Sequence, residues 1–94
     1  MVFTFEGLEG PDAKATFSYP PTQNYVDAVV FLYNRDTKTG IIEAAHDDGS
    51  VGPTAPIAAH PGDQIVVSFQ LDDQTASTCV RVKDGAQSAG SYCD

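Results

Sequence analysis

The stretch Gln64-Ile65-Val66-Val67-Ser68-Phe69-Gln70-Leu71 puts Ile65, Val67, Phe69 and Leu71 on one face and Gln64, Val66, Ser68 and Gln70 on the other. Strict alternation is the period of a strand with one face toward a core; a helix would need apolar residues three and four apart. His60-Pro61-Gly62-Asp63 precedes it and Asp72-Asp73-Gln74 follows it, both turn-forming compositions. The segment therefore predicts a strand running between two tight turns, which is how antiparallel sheets are built.

The same grammar extends in both directions. Toward the C-terminus, residues 77–82 set Thr78, Val80 and Val82 against Ser77, Cys79 and Arg81, and Asp84-Gly85 turns into a short last strand around Ser91-Tyr92-Cys93. Toward the N-terminus, residues 51–57 carry Gly52, Pro53 and Pro56, so they form an edge strand or an irregular crossing. Asp48-Gly49 signals a type I′ hairpin turn, with positive φ at both central residues. Residues 41–45 return as a strand after the turn 36–40, where Gly40 is free to take positive φ. Residues 26–34 are apolar on both faces except at Asp27 and read as the central strand. Pro20-Pro21-Thr22-Gln23-Asn24 is a loop, since two prolines supply no ladder donors. Residues 13–19 alternate Ala13, Ala15, Phe17 and Tyr19 against Lys14, Thr16 and Ser18, and residues 2–5 form a first strand.

Composition agrees. Val and Ile total 13 against three Leu, and β-branched side chains suit a pleated sheet better than a helix. With 41% hydrophobic and 19% charged residues, the 94-residue chain can build one core, so residues 1–94 are expected to be a single domain. The expected fold is all-β: an antiparallel two-sheet sandwich of seven to eight short strands, immunoglobulin-like, with a small closed barrel as the competing architecture.

Three motifs carry a resemblance. Asp47-Asp48-Gly49-Ser50-Val51, Ala55-Pro56-Ile57-Ala58-Ala59 and Pro61-Gly62-Asp63-Gln64-Ile65-Val66-Val67 resemble a pattern of bacterial extracellular immunoglobulin-like domains and their carboxypeptidase-regulatory or transthyretin-like relatives. The resemblance spans roughly residues 26–82 and rests on turns that lead into core strands; the chain lacks Trp and has no cysteine in its second strand, unlike antibody-type domains. It implies a β-sandwich module and carries no chemistry.

Charge narrows the partners. Five basic and 13 acidic residues give a net charge of −8, which disfavours nucleic acid and anionic membrane surfaces. No apolar run reaches the length of a membrane span. No signal-peptide pattern opens the sequence, because Val2 to Glu6 alternates at once; this fits a mature domain from which any export signal has been removed.

Cys79 and Cys93 are the only cysteines, and their numbers fit a hairpin centred near Ala86, with Asp84 facing Ser88 across Gly85-Ala86-Gln87. Cysteines directly opposed on antiparallel strands can meet disulfide geometry. Such a bridge would stabilise the fold by roughly 3 kcal/mol and would place the chain in an oxidising compartment, secreted or at the cell surface. Two independent thiols are the alternative.

His46 and His60 sit in polar turns without metal-ligand spacing, so no metal site is expected from them. Asp36, Asp47, Asp48, Asp63, Asp72 and Asp73 fall in turns at which calcium could find carboxylates, but Asn34-Arg35-Asp36-Thr37-Lys38 only faintly echoes a calcium loop, with Lys38 where a ligand would be wanted, and a solvated acidic surface is the simpler account. No nucleophile elbow, phosphate-binding loop or zinc-protease motif is present; no catalytic residue, enzyme activity or cofactor is expected. Asp27 is the one carboxylate in an apolar run.

Tyr19, Asn24 and Tyr25 flank a stiff polar loop and are the candidate binding residues for a ligand such as carbohydrate. Their alternative is to close the end of the core. Val2, Phe3 and Phe5 form an apolar terminal strand that could pair with a neighbour's sheet edge. The expected function is a non-catalytic extracellular structural or adhesive module, a subunit of a surface assembly or fibre that self-associates or binds a protein. The alternative is a ligand-binding module for carbohydrate or calcium.

Overall fold

The computed structural model describes residues 1–86. Among them are eight strands: β1 (Val2–Glu6), β2 (Lys14–Ser18), β3 (Val29–Asn34), β4 (Thr39–Ala44), β5 (Ile57–Ala58), β6 (Gln64–Leu71), β7 (Gln74–Arg81) and β8 (Gly85–Ala86), with one 3-10 turn at Gln23–Tyr25. They form two antiparallel four-stranded sheets, ordered β5-β2-β1-β8 and β4-β3-β6-β7, in a two-sheet sandwich.

Alternation explains the packing. The inner face of β6 presents Ile65, Val67 and Phe69, opposite Asn34, Leu32 and Val30 of β3. On its other side, Ile65 pairs with Val80 of β7. The facing sheet contributes Phe3, Phe5, Ala15, Phe17 and Ile57. Phe3 and Phe17 are directly opposed across β1 and β2, with ring centroids 5.2 Å apart.

Among the described residues one polar side chain lies wholly inside. Asn34 is 0% exposed, and its amide donates to Ala58 O (3.0 Å) and Asp63 Oδ2 (2.9 Å) while its Oδ1 accepts from Asp36 N and Thr37 N. Asp63 Oδ2 also accepts from His60 N, and Asp36 Oδ2 from Gln64 N. A buried amide is tolerable only when fully bonded. Here it ties the β3–β4 turn to the His60–Asp63 turn, where Pro61 and Gly62 (φ 95) fit the two central positions of a type II turn.

Several local expectations need correction. The strand expected over 26–34 begins only at Val29, because the 3-10 turn ends in a bend where Asp27 adopts φ 69 and Ala28 N donates to Tyr25 O. Asp27 is thus an exposed turn residue. In the turn before β4, Lys38 takes positive φ (60), and Gly40 does not; Gly40 lies opposite Tyr33, where a Cβ would come within 2.5 Å of Leu32 O. The Asp48-Gly49 turn is not type I′, since only Gly49 has positive φ (83). His46 N bonds Ser50 O and Gly49 N bonds His46 O, a three-residue loop with a bulge at the glycine. Residues 51–57 form the irregular crossing, touching the sheet through a Tyr19–Val51 bridge before the two-residue β5.

Gly85 and Ala86, expected to be a hairpin loop, instead form β8 and pair with Phe3 and Val2 of β1 in the opposite sheet. Gly85 (φ 104) and Asp84, whose Oδ1 accepts from Phe5 N at 3.2 Å, turn the chain across the sandwich. The last strand around residues 91–93, Ser88 and Cys93 lie outside the described residues.

A candidate binding groove at the Tyr25 end of the sandwich

Tyr19, Asn24 and Tyr25 come together, and the turn chemistry shows how. Tyr19 follows β2 and is held by paired backbone bonds to Val51 (3.0 and 3.1 Å). Thr22 N donates to Asp48 O, and the buried Gly49 lies so close that a Cβ there would overlap Thr22 O. The Asp48-Gly49 loop thus clamps Thr22. Thr22 Oγ1 in turn accepts from Asn24 N at 3.3 Å and caps the Gln23–Tyr25 turn. That turn lays Tyr25 flat on Phe69 of β6, with centroids 4.0 Å apart and planes 11° from parallel. Tyr19 meets both rings edge-on, at 5.6 Å from Tyr25 and 5.1 Å from Phe69.

The inner face of β7 is covered unevenly. Val80 is fully buried, whereas Ala76, on the same face two turns of alternation away, is exposed. Two hollows open there and share Tyr25, Phe69 and Ala76. One, about 160 Å³, is lined also by Asn24, Leu71, Gln74 and Thr75. The other, about 150 Å³, is lined also by Met1, Tyr19, Val67, Ser77 and Thr78. The floor is aromatic and aliphatic, and the rim offers two amides and several hydroxyls. Burial raises the Tyr25 phenol above its usual range, with the nearby Tyr19 phenolate charge adding to the effect. The two tyrosines therefore close the core and line the groove at once. Phe69, Gln74 and Thr75 were not singled out in the sequence; they belong to a hairpin far along the chain, and only the fold brings it to Tyr25.

The other candidate residues are placed differently. Phe3 and Phe5 are core residues, 1% and 9% exposed, and β1 lies between β2 and β8; only Val2 of that trio reaches solvent. Cys79 sits on β7 opposite Val66, with Arg35 Nη1 4.0 Å from its sulfur; Cys93 lies outside the described residues. The turn aspartates serve the turns: besides Asp36 and Asp63, Asp48 Oδ1 accepts from Ser50 N (2.9 Å) and Ser50 Oγ. Those two bonds from Ser50, side chain first, hold the Asp48 carboxyl below its ordinary range. Among the described residues no three His, Cys, Asp or Glu side chains gather where they could hold a metal ion. His46 Nε2 lies 3.0 Å from Gly52 O. No described helix is long and apolar enough to cross a membrane, which says nothing of strands.

Comparison with protein-family models, curated proteins and solved structures finds no match to this chain, so the likeness to immunoglobulin-like and transthyretin-like modules rests on its own turn motifs.

Proposed function

We propose that this chain is a non-catalytic recognition module of an extracellular, adhesive kind, and that it holds a neutral, sugar-ring-sized group in the groove between Tyr25 and β7. The convergence of Tyr19, Asn24 and Tyr25 with Phe69 around the two hollows carries this reading. Apolar ring faces take the C–H surface of such a ligand, while Asn24 and Gln74 can exchange hydrogen bonds with its hydroxyls. A net charge of −8 works against anionic ligands. The pair Cys79 and Cys93 favours an oxidising compartment.

The test is a panel of immobilised neutral glycans probed with the wild type and with Ala76→Trp. Ala76 is exposed, so an indole there fills the groove without entering the core. The expected result is binding to a subset of glycans that is abolished by Ala76→Trp and weakened by Asn24→Ala, at unchanged thermal midpoint. Binding that survives Ala76→Trp would place the ligand elsewhere, and a silent panel would remove the carbohydrate reading.

A further inference from the structure

The two hollows at the Tyr25 end adjoin. Tyr25, Phe69 and Ala76 line both, and at about 160 and 150 Å³ they are nearly equal in size. Clefts that hold a small organic ligand usually measure about 300–1,000 Å³. Either hollow alone is about half that lower limit, and the two joined reach it. The wall between them is low where β7 crosses it, because Ala76 is exposed and offers only a methyl group.

The pair is strung along β7. Side chains of a strand alternate between its faces, so Gln74, Ala76 and Thr78 share the face on which Val80 is buried. Gln74 lines the first hollow and Thr78 the second. Four residues of extended chain span about 13 Å, more than one pyranose ring can bridge. The two ends also differ in chemistry. The amides of Asn24 and Gln74 stand at the first, whereas Met1, Tyr19 and Val67 make the second largely apolar. None of the described side chains lining either hollow carries a charge, so the ligand that fits is neutral along its whole length.

We propose that the groove is a two-subsite cleft for a linear neutral glycan: one ring sits in each hollow, and the glycosidic linkage crosses Ala76. The inference rests on the carbohydrate reading above and adds the length and direction of the ligand to it. The ring in the first hollow exchanges hydrogen bonds with Asn24 and Gln74, and its neighbour lays a C–H face into the apolar second hollow.

The experiment is an amide-shift titration of the 15N-labelled, oxidised chain with single rings and the disaccharides that contain them. Methyl glucoside is compared with cellobiose and maltose, methyl galactoside with lactose, methyl mannoside with mannobiose, and N-acetylglucosamine with diacetylchitobiose. In at least one comparison the disaccharide is expected to bind about tenfold tighter or more, because its second ring engages as part of the same molecule. The single ring should shift Asn24, Tyr25 and residues 74–76, and the disaccharide should add Val67, Ser77 and Thr78. Thr78→Leu, which fills the second hollow, should return the disaccharide to the affinity of the single ring and leave the single ring's binding as it is. Disaccharides that bind no tighter than single rings, with shifts confined to the first hollow, would overturn the two-ring inference and leave the one-ring reading standing. So would an equal loss of both ligands in Thr78→Leu at an unchanged thermal midpoint. Absence of binding by sugars of either length would remove both.

Discussion

At Asn34 one buried amide answers the backbone of two turns and the Asp63 carboxylate, while its neighbours on the same strand face are Val30 and Leu32. Replacing it with Leu would keep the branched shape but leave Asp36 N and Thr37 N without the Oδ1 they donate to, and Ala58 O with Thr37 Oγ1 alone. Asn34→Leu is therefore expected to cost about 3 kcal/mol in urea unfolding, since each orphaned buried group costs roughly 1–3 kcal/mol. A loss below about 0.5 kcal/mol would mean that these turns hold themselves. Tyr25 gives the pH test. Its phenol is raised in the folded state, first by burial and then by Tyr19, so folding favours the protonated form. Stability should be intact below the pKa of an unfolded tyrosine and fall as pH rises through the folded value. Tyr19→Phe should bring the Tyr25 transition down in an ultraviolet titration; an unmoved transition would leave burial as its sole cause. None of this was legible in the sequence. Asn34 ends an apolar run with no sign that it is internal, because the two acceptors of its amide N–H groups, Ala58 O and Asp63 Oδ2, lie more than twenty residues away.

Elements were the more legible scale. β1, β2, β6 and the core half of β7 follow directly from alternation, with Ile65, Val67 and Val80 fully buried as the pattern requires. The misreadings cluster where backbone conformation, invisible to a hydrophobic pattern, decides. The Val26-Asp27 start of the expected central strand became a bend at φ 69, and the glycine effect expected at Gly40 fell to Lys38. β1 is apolar and terminal in the sequence; in the fold it pairs along its whole length with β2, and with β8 at Val2 and Phe3. Deletion of residues 1–6 removes Phe3 and Phe5 from the core. Each buried Phe lost costs about 3–5 kcal/mol, comparable together with the whole stability of a domain of this size. The truncated chain should lose its cooperative thermal transition, seen by near-ultraviolet circular dichroism. A folded truncation would show that β1 is dispensable after all.

On the scale of the whole molecule, the two sheets act as a frame with different surfaces at their ends. The β4 side presents exposed Ile42 and Tyr33, and the β7 side presents the groove against Tyr25. The Tyr19–Tyr25 half of that groove could be found in the sequence, because two aromatics flank a proline-stiffened loop. Its other half, Phe69 and Gln74–Ala76, could not, because those residues read simply as a core position and a polar hairpin. The groove is the central claim, and nuclear magnetic resonance tests it most directly. Amide spectra of the 15N-labelled chain would be recorded with the methyl glycosides of glucose, galactose and mannose, and with N-acetylglucosamine. The account predicts saturable shifts for at least one of them, confined to Asn24, Tyr25, residues 69–71 and residues 74–76. Shifts centred instead on the His46–Ser50 loop, or no shift with any of the four sugars, would contradict it.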